Sequence, residues 1–457
     1  MNSSEDQNED LRRLSKRTSK SLRPGNSLFA SVLVVVLYLL SSSSSPYPAV
    51  QQERTITGII EGKGYTRVKI AIPGLYSDPV CSAYQDELRK TIIDDLAYSG
   101  YFEPLSEYHL TLVSQFSESN PNLKEWNAVG ADVTVIGRMK RSGDKLLVEA
   151  RLFDTRSEKM ILGRSYSGSP DIVRRIAHKM ADDIILHFTG VNGLGLTRIA
   201  FSSKAGNAKE IYVMDYDGHR IRRLTRNGTI SLCPAWPPGG DKLAFISFRE
   251  GVAGIFIINS SGEIVASRSK KGDLNSAPDW SPDGNTIVFS SNEAGNSEIY
   301  KWDLKRGKVE RLSFCAAIDS SPCWSPTGRE VVFTSDRSGS PQLYIMDAEG
   351  TNVRRITFDG NYNDSAAWSP RGDKIAYASR KDGRFDICIY DLNSGTSVPL
   401  TGNSGNNENP RWSPDGRHLV FASSRTGSYN IFSMNMDGSD LKQLTFSGNC
   451  FTPDWSK

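Results

Sequence analysis

Histidine is scarce in this chain, with five in 457 residues: His109, His178, His187, His219 and His418. None pairs with another at a metal-ligand spacing, so surface or packing roles are expected for them. The six cysteines, Cys81, Cys233, Cys315, Cys323, Cys388 and Cys450, fit neither a zinc site nor a redox Cys-x-x-Cys. A Gly-x-Ser-x-Gly nucleophile elbow is missing, which argues against a serine hydrolase of the α/β kind. Formal net charge is only +3, and no basic stripe with interleaved aromatics occurs, so nucleic acid is not an expected partner. The apolar run over residues 28–40 holds 13 residues, too few to cross a bilayer comfortably.

What the chain does have is a ruler of tryptophans. Trp236, Trp280, Trp324, Trp368 and Trp412 are each 44 residues apart, and Trp455 comes after 43. One phrase recurs around them: Pro278-Asp-Trp280-Ser-Pro-Asp-Gly284, Pro322-Cys-Trp324-Ser-Pro-Thr-Gly328, Ala366-Ala-Trp368-Ser-Pro-Arg-Gly372 and Pro410-Arg-Trp412-Ser-Pro-Asp-Gly416. A degenerate copy surrounds Trp236 and a short one ends at Ser456-Lys457. A period of 40–45 residues made of short strands is the mark of a β-propeller.

Each repeat divides into four strands. An inner strand runs to the Trp, and Ser-Pro-Asp-Gly turns the chain, with Pro presetting φ and Gly supplying a positive φ. Thr286-Ile-Val-Phe-Ser290 is a β-branched second strand, and Glu298-Ile-Tyr-Lys-Trp-Asp303 alternates as a half-buried third strand. Outer strands often close on Leu-Thr or a near copy, as at Leu224-Thr225, Leu312-Ser313, Ile356-Thr357, Leu400-Thr401 and Leu444-Thr445. The repeat of Trp236 departs from this with Ala266-Ser-Arg-Ser269. The repeat of Trp455 has no further strands after it; they stand instead at the start of the array, from Arg198-Ile-Ala-Phe-Ser202 onward. The expectation is therefore an α/β N-terminal domain followed by an all-β six-bladed β-propeller with split-blade closure, which leaves no open edge.

Upstream, residues 1–26 are polar with a basic run, residues 28–40 are apolar, and residues 41–52 are rich in Ser, Pro and small residues. That order describes a secretory signal, with an uncleaved anchor as the alternative. The expected domains are residues 1–50 as signal and exit region, 51–190 as an α/β domain, and 191–457 as the propeller. In the α/β domain, residues 67–73 read as a strand and 80–98 as an amphipathic helix bearing Leu88, Ile92, Ile93 and Leu96. Residues 132–140, 145–153 and 159–166 read as a three-strand meander. Pro170 opens a helix to Phe188, with Ile172, Ile176, Met180 and Ile184 every four residues. Gly193-Leu-Gly195 leads into a strand, so it is not a dinucleotide loop.

Three patterns carry candidate chemistry. Asp215-Tyr-Asp217-Gly218 and Asn435-Met-Asp437-Gly438 resemble calcium-loop fragments without the remaining ligands, and Asp-Gly is ordinary hairpin chemistry there. No metal or other cofactor is expected. Export leaves disulfides open, with Cys315–Cys323 as the candidate pair, against free and partly buried thiols. Five residues before each Trp stand Ser231, Asn275, Asp319, Asn363, Asn407 and Cys450. These positions fall in the loops from an outer to the next inner strand, which should ring one mouth of the channel. Either Asn and Asp simply make these turns, or Asn275, Asp319, Asn363 and Asn407 form a polar ring that contacts a partner.

The chain resembles the TolB family, periplasmic components of the bacterial Tol–Pal system. The resemblance rests on the Trp phrases together with Asp94-Asp-Leu-Ala-Tyr-Ser-Gly-Tyr-Phe102, Trp126-Asn-Ala-Val-Gly-Ala-Asp132, Arg151-Leu-Phe-Asp154 and Arg174-Arg-Ile-Ala-His178. It implies a non-enzymatic, monomeric protein of the periplasm. The propeller mouth would bind Pal, a peptidoglycan-associated lipoprotein, giving peripheral association with the outer membrane. The mature N-terminal tail, with Gln52, Glu53, Arg54, Thr55 and Ile56, would engage TolA. The implied role is outer-membrane integrity and envelope constriction at division. Two rivals stand beside it: a propeller peptidase or lyase, and a glycan-binding propeller with Tyr362 as its aromatic candidate.

Overall fold

The computed structural model describes residues 66–456, apart from 115, 116, 118, 119, 271–273 and 403. The expected signal, the tail Gln52–Ile56 and the boundary at residue 50 lie outside the described residues.

The first domain is a mixed sheet with helices packed on it. Its strands are β1 (Val68–Ala71), β2 (Tyr76–Ser77), β3 (Phe102–Pro104), β4 (Val133–Ser142), β5 (Lys145–Asp154) and β6 (Lys159–Gly168), in the order β3-β1-β4-β5-β6 with β2 on β4. The meander β4-β5-β6 is where the alternation puts it. A two-residue turn at Gly143, φ 60°, pairs Ser142 with Lys145. Helices α1 (Ser82–Tyr98) and α4 (Val173–Thr189) share one core with the sheet, contributing Leu88, Ile92 and Leu96 from one and Ile176, Met180 and Ile184 from the other. Each such side chain, fully buried, is worth about 1.5–3 kcal/mol. Both helices start later than the sequence suggests, after short 3₁₀ segments at Pro79–Cys81 and Pro170–Ile172. Proline at the first position tolerates that tighter turn. Helix α4 stops at Gly190, whose φ of 71° lets its N–H bond Leu186 O at 2.9 Å. Two short helices, α2 (Glu107–Thr111) and α3 (Leu123–Ala128), complete the domain.

Six four-stranded sheets form the propeller. Five are built from consecutive strands, as in Asn275–Trp280, Thr286–Ser291, Glu298–Asp303 and Lys308–Arg311. The sixth pairs the C-terminal strand Cys450–Trp455 with Arg198–Ala205, followed by Ala208–Asp215 and Arg222–Arg223. Split-blade closure is thus observed.

The tryptophans sit between blades. Trp280 Nε1 donates to Ala235 O at 3.0 Å and Trp412 Nε1 to Ala367 O at 3.0 Å, each reaching the preceding blade. Carboxylates on the inner strands reach the other way: Asp279 accepts Trp324 N–H at 2.8 Å and Asp454 accepts Trp236 N–H at 2.7 Å. The apolar cores accordingly span neighbouring sheets, as where Ala244, Ile246 and Ile255 pack with Trp280, Ile287 and Phe289. Every inner strand is bulged, and Cys233, Ala277, Ser321, Ser365, Asn409 and Thr452 take φ between 46° and 57° three residues before their tryptophans. The bulge bends the strand where it lines the channel.

The path of each blade separates two faces. Outer-to-inner loops and second-to-third loops lie on one face, the mouth. The Ser-Pro-x-Gly turns and the third-to-outer turns lie on the opposite face. The first domain packs on that opposite face. Tyr98 stacks on His418 with centroids 4.1 Å apart, and His418 Nε2 lies 3.0 Å from Tyr98 O. Tyr216 Oη donates to Asp95 at 2.5 Å, and Arg417 lies 4.3 Å over the Tyr101 ring.

Candidate functional site: the propeller mouth

The mouth is organised by one repeated buried lock. The Ser or Thr that ends an outer strand accepts a backbone N–H from the third strand of its blade. Its hydroxyl bonds a polar residue at the start of that third strand. Thr357 Oγ1 accepts Leu343 N–H at 2.9 Å and donates to Gln342 at 2.8 Å. Thr401 does the same with Ile387 and Asp386. Where that residue is Glu298, its buried carboxylate also takes Arg311 Nη2 at 2.6 Å and Cys315 N–H at 3.1 Å. The blade of Trp236 has Gly254 here, and an added Cβ would come within 2.8 Å of Ser269 Cβ. Its departure from the Leu-Thr ending is therefore a repacked version of the lock.

The four residues expected to contact a partner belong to this buried layer. Asn275 is 2% exposed, and Asp319, Asn363 and Asn407 are fully buried. Each lies on an inner strand, rather than in the loop before it, opposite a serine of the second strand: Ser291, Ser335, Ser379 and Ser423. Asn407 Oδ1 accepts Ser423 Oγ and Arg425 Nη2, both at 2.8 Å. Asp319 pairs with Arg337 at 2.8 Å, Asn363 donates to Gln342 of the preceding blade at 2.8 Å, and Asn275 donates to Ala253 O at 2.9 Å. Burial corrects the expectation of direct contact at these side chains. They fasten the mouth loops to one another.

The surface those loops present is apolar and basic. Phe314, Phe358 and Phe446 are 73%, 71% and 77% exposed. They occupy one equivalent position, directly after Ser313, Thr357 and Thr445. Arg311 Nε bonds Ser313 O at 2.7 Å and its guanidinium lies 4.6 Å over the Phe314 ring; Arg355 lies 4.8 Å over Phe358. The rings of Phe314 and Phe358 are thereby held outward instead of folding into the blade. Ile230, Leu274 and Ile318, each just before a ring residue, are also exposed. Arg249, Arg337, Lys381 and Arg425 recur two residues after the second-strand serines Ser247, Ser335, Ser379 and Ser423. Arg425 is held against the neutral Asn407, and burial draws its pKa down from the ordinary value. Exposed aromatic knobs among partly desolvated arginines suit a protein surface or peptide. The sequence signal for the phenylalanines is their place directly after three of the Leu-Thr-type endings, a recurrence that attention to the strand endings alone passes over.

The remaining candidate groups have structural roles or none in the mouth. All six cysteines are free thiols. Cys315 Sγ faces Asp319 and Arg337, whereas Cys323 Sγ accepts Trp368 N–H at 3.4 Å, so the candidate disulfide does not form. Burial raises the pKa of Cys81, Cys233, Cys315 and Cys388, the last to about 11, which disfavours the nucleophilic thiolate. Tyr362 meets Phe385 edge-on at 5.4 Å. Glu298, Cys315 and Asp319 approach one another closely enough to hold a metal ion, but Arg311 and Arg337 already neutralise the two carboxylates.

Comparison with known proteins settles the family. The profile of the TolB amino-terminal domain matches residues 59–161, and that of the TolB beta propeller domain matches 186–402 and 367–457. The chain belongs to the TolB family. Among solved structures, TolB from Acinetobacter baumannii shares 29% identity over 86% of this chain and 97% of its own, with a TM-score of 0.73. Curated relatives named Tol-Pal system protein TolB include one from Desulfosudis oleivorans, 38% identical over 28% of this chain and 29% of its own length. One from Cereibacter sphaeroides is 32% identical over 49% and 52%. The matched stretches span about half or less of the curated relatives' length. No helix among the described residues is long and apolar enough to cross a membrane.

Proposed function

We propose that this protein is a non-enzymatic, periplasmic adaptor of a Tol–Pal system. Its mouth binds a Pal-type lipoprotein, and its tail, Gln52 to Ile56, engages TolA. The association supports outer-membrane integrity and envelope constriction at division. The observation that carries this reading is the set of three phenylalanines exposed at equivalent positions on the face that the first domain leaves uncovered. A free monomer rarely exposes such rings without a use. The tail is polar and unpatterned up to Ile56, as suits a segment that orders on binding.

Calorimetry with the soluble domain of the cognate Pal-type lipoprotein tests the reading. Saturable binding is expected, and changing Phe314, Phe358 and Phe446 together to Ala should weaken it about 100-fold with an unchanged melting temperature. Absence of binding to the unaltered protein, or full binding to the triple variant, overturns it. Binding of peptidoglycan fragments in place of the lipoprotein would favour a glycan-binding propeller. Deleting residues 52–56 should abolish TolA binding and also shift Pal affinity, because this reading couples tail and mouth.

A further inference from the structure

The contact between the first domain and the propeller holds a buried histidine set between carboxylates of both domains. His178, on α4, is 2% exposed, and its Nδ1 lies 2.7 Å from Asp95 Oδ2. Its other nitrogen, Nε2, is buried and has no hydrogen-bond partner. That nitrogen points at the turn between the third and outer strands of the split blade, Asp215-Tyr-Asp217-Gly-His219. Asp217 Oδ2 stands 3.6 Å from Nε2, and ligand atoms of His178, Asp215 and Asp217 all fall within 4.8 Å of one another. His219 Nδ1 lies 3.5 Å from Asp217 Oδ1, on the exposed rim of the same turn.

We infer that His178, Asp215, Asp217 and His219 form a site for a divalent transition ion of the zinc kind, joining the first domain to the propeller. A tetrahedral ion with ligands at 2.0–2.2 Å sets them about 3.3–3.5 Å apart. His178 Nε2 and His219 Nδ1 stand 3.6 and 3.5 Å from the two different oxygens of Asp217; His178, Asp215 and Asp217 are already gathered, and the exposed His219 turns inward to complete the set. A histidine that ligates a metal commonly gives its other ring N–H to a carboxylate, which fixes the tautomer and aims the free nitrogen. Asp95 stands in that position. Charge points the same way: Asp95, Asp182, Asp215 and Asp217 gather here, with the guanidinium groups of Arg174, Arg198 and Arg220 set against them. Arg174 bonds Asp217 Oδ2 and also Thr91 at 3.0 Å, so it shares that carboxylate with the ion and limits the affinity. Two imidazole nitrogens and two carboxylates suit zinc better than calcium or magnesium, which prefer all-oxygen shells.

The test is zinc titration of the whole protein by calorimetry, with cobalt spectroscopy alongside. One ion per chain is expected, with visible cobalt bands of nitrogen and oxygen ligation and no thiolate charge-transfer band. Asp215→Asn and His219→Ala, both on the turn and away from the core, should each weaken binding at least about tenfold, and Asp95→Asn by about 10–100-fold. Zinc should raise the melting temperature of the unaltered protein and not that of Asp215→Asn. The inference is overturned if no stoichiometric binding occurs, if a thiolate band places the ion on cysteines, or if Asp215→Asn and His219→Ala bind as the unaltered protein does.

Discussion

The two faces of the propeller are made from the same repeat and put to opposite uses. On the face that carries the first domain, aromatic groups are capped: Tyr98 lies on His418, Tyr216 bonds Asp95, and Arg417 covers Tyr101. On the mouth, arginines instead prop Phe314 and Phe358 into solvent. The difference lies in how the chain leaves each strand. Ser-Pro-x-Gly makes a tight, closed corner that another domain can rest on. The longer outer-to-inner loops leave one residue beyond the Ser/Thr lock with nowhere to pack.

That contrast can be broken from either side. The largest effect is expected at Tyr98→Ala, which removes a buried ring from the docked face and should cost about 4 kcal/mol. Denaturant unfolding should then show the first domain melting apart from the propeller; a single unchanged transition would mean that the capped face contributes little. Next is Glu298→Ala beneath the mouth. It strands Arg311 and frees Ser313, and should cost about 3 kcal/mol, the Arg being partly solvated. Circular dichroism melts would measure it. Phe358→Ala should leave the melt within about 0.5 kcal/mol of the parent while costing about 2 kcal/mol in the proposed binding of a Pal-type lipoprotein, read by calorimetry. Equal losses in both would make Phe358 structural.

The smallest effect belongs to Asp182, whose carboxylate accepts Gly195 N–H at 2.9 Å in the linker. Burial raises its pKa from 3.8 to about 6. The unfolded carboxyl therefore loses its proton first as pH rises. Stability falls between those two values, and the whole cost stands above pH 6 and vanishes below 3.8. Asp182→Asn should gain on the order of 1 kcal/mol near neutral pH and nothing in acid, read as a difference in urea midpoints at the two pH values. An equal difference at both would show that the charge is not the cause.

The sequence disclosed what repeats and hid what converges. The Trp ruler, the three-strand meander and the period of four in α4 are local patterns, and each became the element it implied. Asn407 reads as part of a turn because Asn and Asp favour turns. Only the register Asn407↔Ser423, and Arg425 beside it, reveal a buried staple. The short strands β2 and β3 carry too few residues to show a period. In the sequence His178 is one more helical residue; Asp95 meets it where two helices pack, and Tyr216 and Asp217 reach it only by the docking of two domains.

The strand that seals the ring has a consequence for how the molecule is born. Residues 198–205 must wait for residues 450–455, some 250 positions later, before their sheet gains its innermost member. A ribosome or export channel delivers the chain from its N-terminus, so five blades can assemble while the circle is still gapped. Closing so distant a pair is entropically slow. Nascent chains cut short before Cys450 would keep an unsatisfied edge, open to capture by proteases or by other unfinished copies.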